Sequence, residues 1–261
     1  MARFCPLFSS SSGNCIYIGS GNTHVLVDAG VSAKKITASL GGIGVAPEQI
    51  NAIFITHEHT DHIAGLFSFA LFRSVPVFMS HGTACALKNH PKYDERLNII
   101  EMNDDVTVGE ITVKRFATSH DCDGSSGYRF DLKNGRSFAV CTDTGIITDE
   151  IRQAISGSTL VLIESNHSVV MLARGPYPFP LKKRILSDNG HLSNGSCAEE
   201  LPALVNGGTS RIILGHLSRQ NNTPEEARQS AVAKLCEAGL TEGLDFILYV
   251  APPEGGKLFS L

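Results

Sequence analysis

The sequence predicts an α/β protein, and two observations carry that expectation. Short apolar runs rich in β-branched residues alternate with stretches of helical period. Five of those runs end at once in His or Asp, at the carboxyl edge where open α/β sheets place their ligand crevices. A chain of 261 residues can bury roughly three quarters of its unfolded surface. No Pro/Gly/Ser-rich linker or charge block divides it, so residues 1–261 are read as a single domain.

Taken in order, the serine run Ser9–Ser12 with Gly13 and Asn14 reads as a turn. Residues 14–18 and 24–28 pair as a hairpin around Gly19-Ser20-Gly21-Asn22, and 32–40 form a short helix stopped by Gly41-Gly42. A buried strand at 51–55 leads to a helix from Asp61 to about Ser74, and then to a strand at Val75–Met79. The stretches 105–117 and 126–142 are antiparallel ribbons turning at Gly109 and at Asn134-Gly135. A helix at 148–156 precedes a strand at Ser158–Glu164. Another helix runs from Ser193 or Asn194 to about Val205, ahead of a strand at 210–215. Thr223-Pro224-Glu225-Glu226 supplies an N-cap, a first-position Pro and a third-position Glu. That helix reaches Glu237, ends at Gly239 and is followed by a last strand at 245–250.

Thr56-His57-Glu58-His59-Thr60-Asp61-His62 is the most informative segment. It packs three imidazoles and the Asp61 carboxylate onto one short turn at the end of the 51–55 strand. His57 and His59 are two apart and point the same way along extended backbone. Asp61 and His62 open the next helix and face a second point, so the segment can serve one cation and begin the site of a neighbour. His120, Asp143 and His216 each follow an apolar strand, and Asp143 has two oxygens with which to bridge two cations. Asp28 ends Val25-Leu26-Val27 and is placed to hydrogen-bond a ligand imidazole and fix its tautomer. Cys141 reads as a small buried hydrophobe rather than a ligand.

In this order Asp28, the heptapeptide, His120, Asp143 and His216 resemble the signature of the metallo-β-lactamase superfamily. The segments Ser9–Asn14, Glu164–His167, Gly175–Pro178, Gly190–Asn194 and Gly215–Ser218 resemble its bacterial YycJ/WalJ-type branch nearly end to end. The resemblance implies an αβ/βα four-layer sandwich, two mixed β-sheets flanked by helices, with a dinuclear site at one sheet edge. It also implies that His57, His59, His120 and Asp143 hold one metal, and Asp61, His62, Asp143 and His216 the other. Zn or Mn is expected, with Fe also compatible. The implied activity is a phosphodiesterase on nucleic acid, similar to a 5′→3′ exodeoxyribonuclease, with DNA ends or single strands as partner.

Two such cations would lower the pKa of a bridging water to ~7, and Asp61 belongs to that catalytic set. Glu164 and His191 are similar to a ribonuclease Z pair proposed for proton transfer, so Glu164 is expected to orient His191 and His191 to protonate the leaving oxygen. Net charge is −4, so the chain as a whole does not attract a polyanion. Residues 165–187 nevertheless contain no acid and carry Arg174, Lys182, Lys183 and Arg184, with Tyr177 and Phe179 suited to stacking a base. Ser11, Ser12 and Asn14, and the helix start at Ser193 and Asn194, are expected to bind phosphate. Only 22 residues separate His120 from Asp143, which leaves no room there for a ribonuclease Z-like tRNA arm. A small-molecule hydrolase of the same fold, acting on a thioester, lactone or cyclic phosphate, is the alternative, and a metal-stabilised binding module the remote one. Seven scattered cysteines without a Cys-x-x-Cys suit a reduced cytoplasm. The start Met1–Cys5 has no secretory core, and no apolar run approaches the ~20 residues of a membrane span.

Overall fold

Strands covered on both faces read as unbroken apolar runs, and this chain has many of them. The computed structural model describes residues 1–261. Its first sheet contains β1 (Ala2–Ser10), β2 (Gly13–Ser20), β3 (Thr23–Val27), β4 (Ile50–Phe54), β5 (Val77–Met79) and β6 (Ile99–Glu101). The second contains β7 (Val106–Val108), β8 (Ile111–Ala117), β9 (Ser126–Leu132), β10 (Ser137–Cys141), β11 (Leu160–Glu164), β12 (Arg211–Gly215) and β13 (Ile247–Val250). The final strand, β14 (Phe259–Ser260), returns to the first sheet beside β1, so each sheet has seven strands.

Both sheets are mixed. From β3 to β6 the pairings are parallel, and β1, β2 and β3 run antiparallel. Likewise β10 to β13 are parallel, and β7 to β10 antiparallel. Side chains alternate between two cores, as the pleat requires. In β3 and β4, Val25, Val27, Ala52 and Phe54 point inward to meet Phe130, Phe138, Val140 and Leu162 of the other sheet. Their neighbours Leu26 and Ile53 point outward. That outer face is covered by α1 (Ala33–Gly42) and α3 (Leu66–Arg73), which come before and after the single turn α2 (Thr60–Ile63) in the chain, and by α4 (His81–Lys88). The outer face of the second sheet packs against α5 (Asp149–Ile155), α8 (Asn194–Asn206) and α9 (Pro224–Glu237). Two short helices, α6 (Val169–Arg174) and α7 (Phe179–Ile185), lie on the surface between β11 and α8. The four layers are the expected αβ/βα arrangement of two mixed β-sheets flanked by helices.

Several elements differ from expectation. The serine run is not only a turn: Ser9 and Ser10 are the buried end of β1. The helix expected over Asp61–Ser74 is broken into α2 and α3 at Gly65, whose N–H donates to Ala29 O at 2.8 Å. A Cβ there would stand 2.0 Å from Val31 O, so the break lets the 29–31 loop pass beneath the heptapeptide. Gly41-Gly42 do not stop α1, which includes both and caps at Ile43. The short elements β6, β14, α4, α6 and α7 were not anticipated. No helix is long and apolar enough to cross a membrane.

Candidate metal centre

Every strand end named in the sequence delivers its residue to one point. Asp28 follows β3, the heptapeptide follows β4, His120 follows β8, Asp143 follows β10 and His216 follows β12. Three of these, Asp28, Asp143 and His216, have φ of 63°, 57° and 55°. The left-handed region costs a residue with a Cβ about 1–2 kcal/mol. Such strain clusters where a chain must turn sharply to aim a side chain.

The donor atoms face one another at short range. His57 Nε2 lies 3.0 Å from His59 Nδ1, and His120 Nε2 3.3 Å from the same atom. Asp143 lies between the two halves, with Oδ2 3.4 Å from His62 Nε2 and Oδ1 3.5 Å from His216 Nε2 and 3.9 Å from His120 Nε2. Asp61 Oδ2 is 3.5 Å from His62 Nε2 and 3.7 Å from His216 Nε2. Ligands bound at roughly 2.0–2.1 Å in a tetrahedron stand about 3.3 Å apart, so the spacing is that of a coordination shell. Asp143 Oδ2 and His216 Nε2 are buried without a hydrogen-bond partner. Unpaired buried polar atoms are costly, and an imidazole and carboxylate set of this kind suits a divalent cation.

The outer nitrogens explain why the inner ones converge. His62 Nδ1 meets Asp28 Oδ2 at 2.8 Å, His120 Nδ1 meets Gly190 O at 3.0 Å and His216 Nδ1 meets Glu164 Oε1 at 2.8 Å. Each leaves Nε2 for the centre, the usual way in which a histidine ligand is held. Asp28 also accepts from Thr56 N at 2.8 Å and from Thr56 Oγ1, so it ties the heptapeptide to β3. Glu164 does more than the sequence suggests. Its Oε1 faces both His191 Nδ1 and His216 Nδ1 at 2.8 Å, and its Oε2 accepts from Thr144 N and Leu192 N.

The charges follow from this packing. Burial works against the charged form of His62 and His216, but Asp143 and the carboxylates behind them raise both, His216 to about 10. Burial, reinforced by the neighbouring His62, His120 and His59, pushes His57 well below the usual histidine range. Burial also opposes ionisation of Asp61, and the His216 and His62 imidazoles beside it overcome that, holding the carboxyl far below its ordinary value. His191 is raised because Glu164 outweighs its burial.

The expected substrate contacts are more dispersed. Ser11 and Ser12 are exposed at the β1–β2 turn. Asn14 is buried, donating to Ser10 O and lying 3.1 Å from His62 Nε2, which makes it a brace for the centre. Tyr177 is half-buried. Lys182 Nζ donates to Ala173 O at 2.7 Å, and Arg184 pairs with Asp121. Ser193 caps α8, and Asn194 is locked to Ser165 and Asn222. Cys141 is buried in the helix-side core, and all seven cysteines are free.

Sequence reasoning missed several braces. Ser9 Oγ accepts from His216 N at 2.9 Å, Asn166 Nδ2 donates to His216 O at 2.9 Å and Tyr128 Oη donates to Ile55 O at 2.6 Å. Ser9 and Tyr128 lie within β1 and β9 and Asn166 in the loop after β11, where nothing local in the sequence marks them as partners of the centre. Gly30 was missed as well: a Cβ there would fall 1.7 Å from Asp61 O.

Comparison with known proteins agrees with this architecture. Residues 23–217, from β3 to just past His216, match the β-lactamase superfamily domain. The chain is 40% identical over 257 residues to the exodeoxyribonuclease WalJ of Streptococcus pneumoniae, covering 97% of this chain and 95% of that protein. It is 37% identical over 256 residues to the exodeoxyribonuclease YycJ of Bacillus anthracis, covering 97% and 96%. Among solved structures, the metallo-β-lactamase fold protein YhfI of Bacillus subtilis superposes with a TM-score of 0.73 at 15% identity, covering 99% of this chain and 98% of that one. The chain therefore belongs to the β-lactamase superfamily and, within it, to the family of WalJ and YycJ.

Proposed function

We propose that the chain, acting as one domain, is a divalent-metal-dependent phosphodiesterase that removes nucleotides from DNA ends in a reducing cytoplasm. The observation that carries this reading is the ring of His and Asp donors 3.0–3.9 Å apart around Asp143, in which the outer nitrogens of His62, His120 and His216 are satisfied and Asp143 Oδ2 and His216 Nε2 are buried without a partner. The names of the two relatives supply the substrate class.

In this reading His57, His59, His120 and Asp143 hold one cation, Asp61, His62, Asp143 and His216 a second, and zinc or manganese fits the donors. When bound, such a pair supplies Lewis-acid activation of water and neutralises charge on phosphate oxygens. The residues of the chain do the rest. Asp28 keeps His62 in the tautomer that presents Nε2. Glu164 is a positioning residue, fully buried, that holds His191 and His216 through one oxygen. With Nδ1 engaged, His191 has Nε2 left to hand a proton to the oxygen that departs as the P–O bond breaks. Its side chain is 19% exposed, whereas those of His62 and His216 are at most 1% exposed, so it borders the open side of the centre.

The test is His191→Ala, assayed with Zn²⁺ or Mn²⁺ on end-labelled single- and double-stranded DNA beside a model thioester. DNA turnover should fall by ~10²–10⁴ with metal content unchanged. Loss of metal would make His191 structural, and turnover of the thioester alone would replace DNA with a small molecule as substrate.

A further inference from the structure

A cleft beside the metal centre contains a cation with no partner. Arg219 is exposed and follows His216 by three residues. It lines a polar cavity of about 210 Å³ with Ser10, Ser12, Gly13, Lys35 and Glu254. Glu254 is the acid near Arg219, but it pairs with Lys35 Nζ at 2.6 Å, which leaves the guanidinium fork uncommitted. The opposite wall is the β1–β2 turn, where the Ser12 hydroxyl is exposed and Ser10 Oγ lies 3.1 Å from it. Both walls are coupled to the centre: Ser9 Oγ holds His216 N, and Asn14, which accepts from Ser10 N, reaches His62. On its other side Arg219 borders a second cavity, of about 250 Å³, lined by Leu217, Pro224, Ala251, Pro253 and Asn222. A planar fork and hydroxyls in a small polar cleft suit a phosphate, and the more apolar neighbour suits the nucleoside attached to it.

We propose that the Arg219 cleft binds a phosphate of the substrate strand other than the one being cut, and so places the strand end over the metal centre. This rests on the phosphodiesterase reading above. A phosphate that competes with Glu254 for the cations gives the two residues opposite effects on binding.

The experiment compares a thymidine dinucleotide having only its internal phosphodiester with the same dinucleotide phosphorylated at its 5′ or at its 3′ end. The metal-loaded wild type should show a KM about tenfold lower for one of the phosphorylated forms. Arg219→Gln should abolish that preference and leave turnover of the unphosphorylated dinucleotide unchanged, and Glu254→Gln should enlarge the preference. A preference that survives Arg219→Gln, or equal losses on all substrates, would overturn the proposal. If no dinucleotide is cleaved, the phosphodiesterase reading fails by itself. Calorimetry with a non-cleavable methylphosphonate dinucleotide bearing the terminal phosphate then decides the cleft: tenfold weaker binding by Arg219→Gln supports it, and equal binding refutes it.

Discussion

Glu164→Gln would remove the acceptor that His191 and His216 share. A glutamine offers one carbonyl oxygen and an NH₂ where Glu164 has two carboxylate oxygens facing four donors. The amide would either lose both imidazoles or set its NH₂ against Thr144 N and Leu192 N. Loss of such an outer partner lowers metal affinity about 10–100-fold, so chelator competition should find at least one cation held more weakly, together with slower DNA turnover. Unchanged affinity would show that Glu164 serves His191 alone. At this scale the sequence was readable where chemistry demands a particular residue type. Asp28, the heptapeptide, His120, Asp143 and His216 all reach the expected point. Ser9, Asn14 and Asn166 were not readable as braces, because a buried hydroxyl or amide takes its role from a partner far away in sequence. His216 N, for example, is bound by Ser9 from the opposite sheet.

Among the elements, β3, β4, β10, β11 and β12 stood out because burial on both faces gives each a run of successive apolar residues. Helix α9 stood out through its Thr223-Pro224 start. The short strands β6 and β14 and the short helices α4, α6 and α7 escaped notice since so few residues establish no period. The β3–α1 loop hides a packing rule of its own, the close pass of Gly30 beneath Asp61. Gly30→Ala should force that loop from the heptapeptide, costing about 1–3 kcal/mol and lowering metal content, as measured by urea unfolding and elemental analysis. A fully loaded, undiminished variant would mean that the loop is free to shift. In the β2–β3 hairpin, buried His24 stacks on Tyr17 and lies 2.7 Å from its hydroxyl. Burial, with Arg3 nearby, lowers its pKa below the ordinary 6.5. The unfolded chain then takes up a proton near 6.5 that the folded chain resists. The stability due to neutral His24 is therefore complete above that pH and declines as pH falls through 6.5 towards the lowered folded value. Between pH 7.5 and 5.5 the urea midpoint of the wild type should fall more than that of His24→Gln. Parallel declines would remove His24 from the acid limb.

Across the whole molecule, two sheets with separate outer cores meet on one inner core, and their parallel halves end at the same edge. That arrangement carries His57, His59, Asp61 and His62 from one sheet to His120, Asp143 and His216 from the other. Tyr128 Oη to Ile55 O and Ser126 N to Thr56 O fasten the edges together. The centre is thus a property of the sandwich as a whole, and Asp143 is its shared member. Anomalous diffraction from crystals of the zinc- or manganese-loaded protein measures this directly. Two peaks per chain, both within bonding distance of the Asp143 carboxylate, are predicted. A single peak, or two peaks with Asp143 bound to neither, would contradict the account.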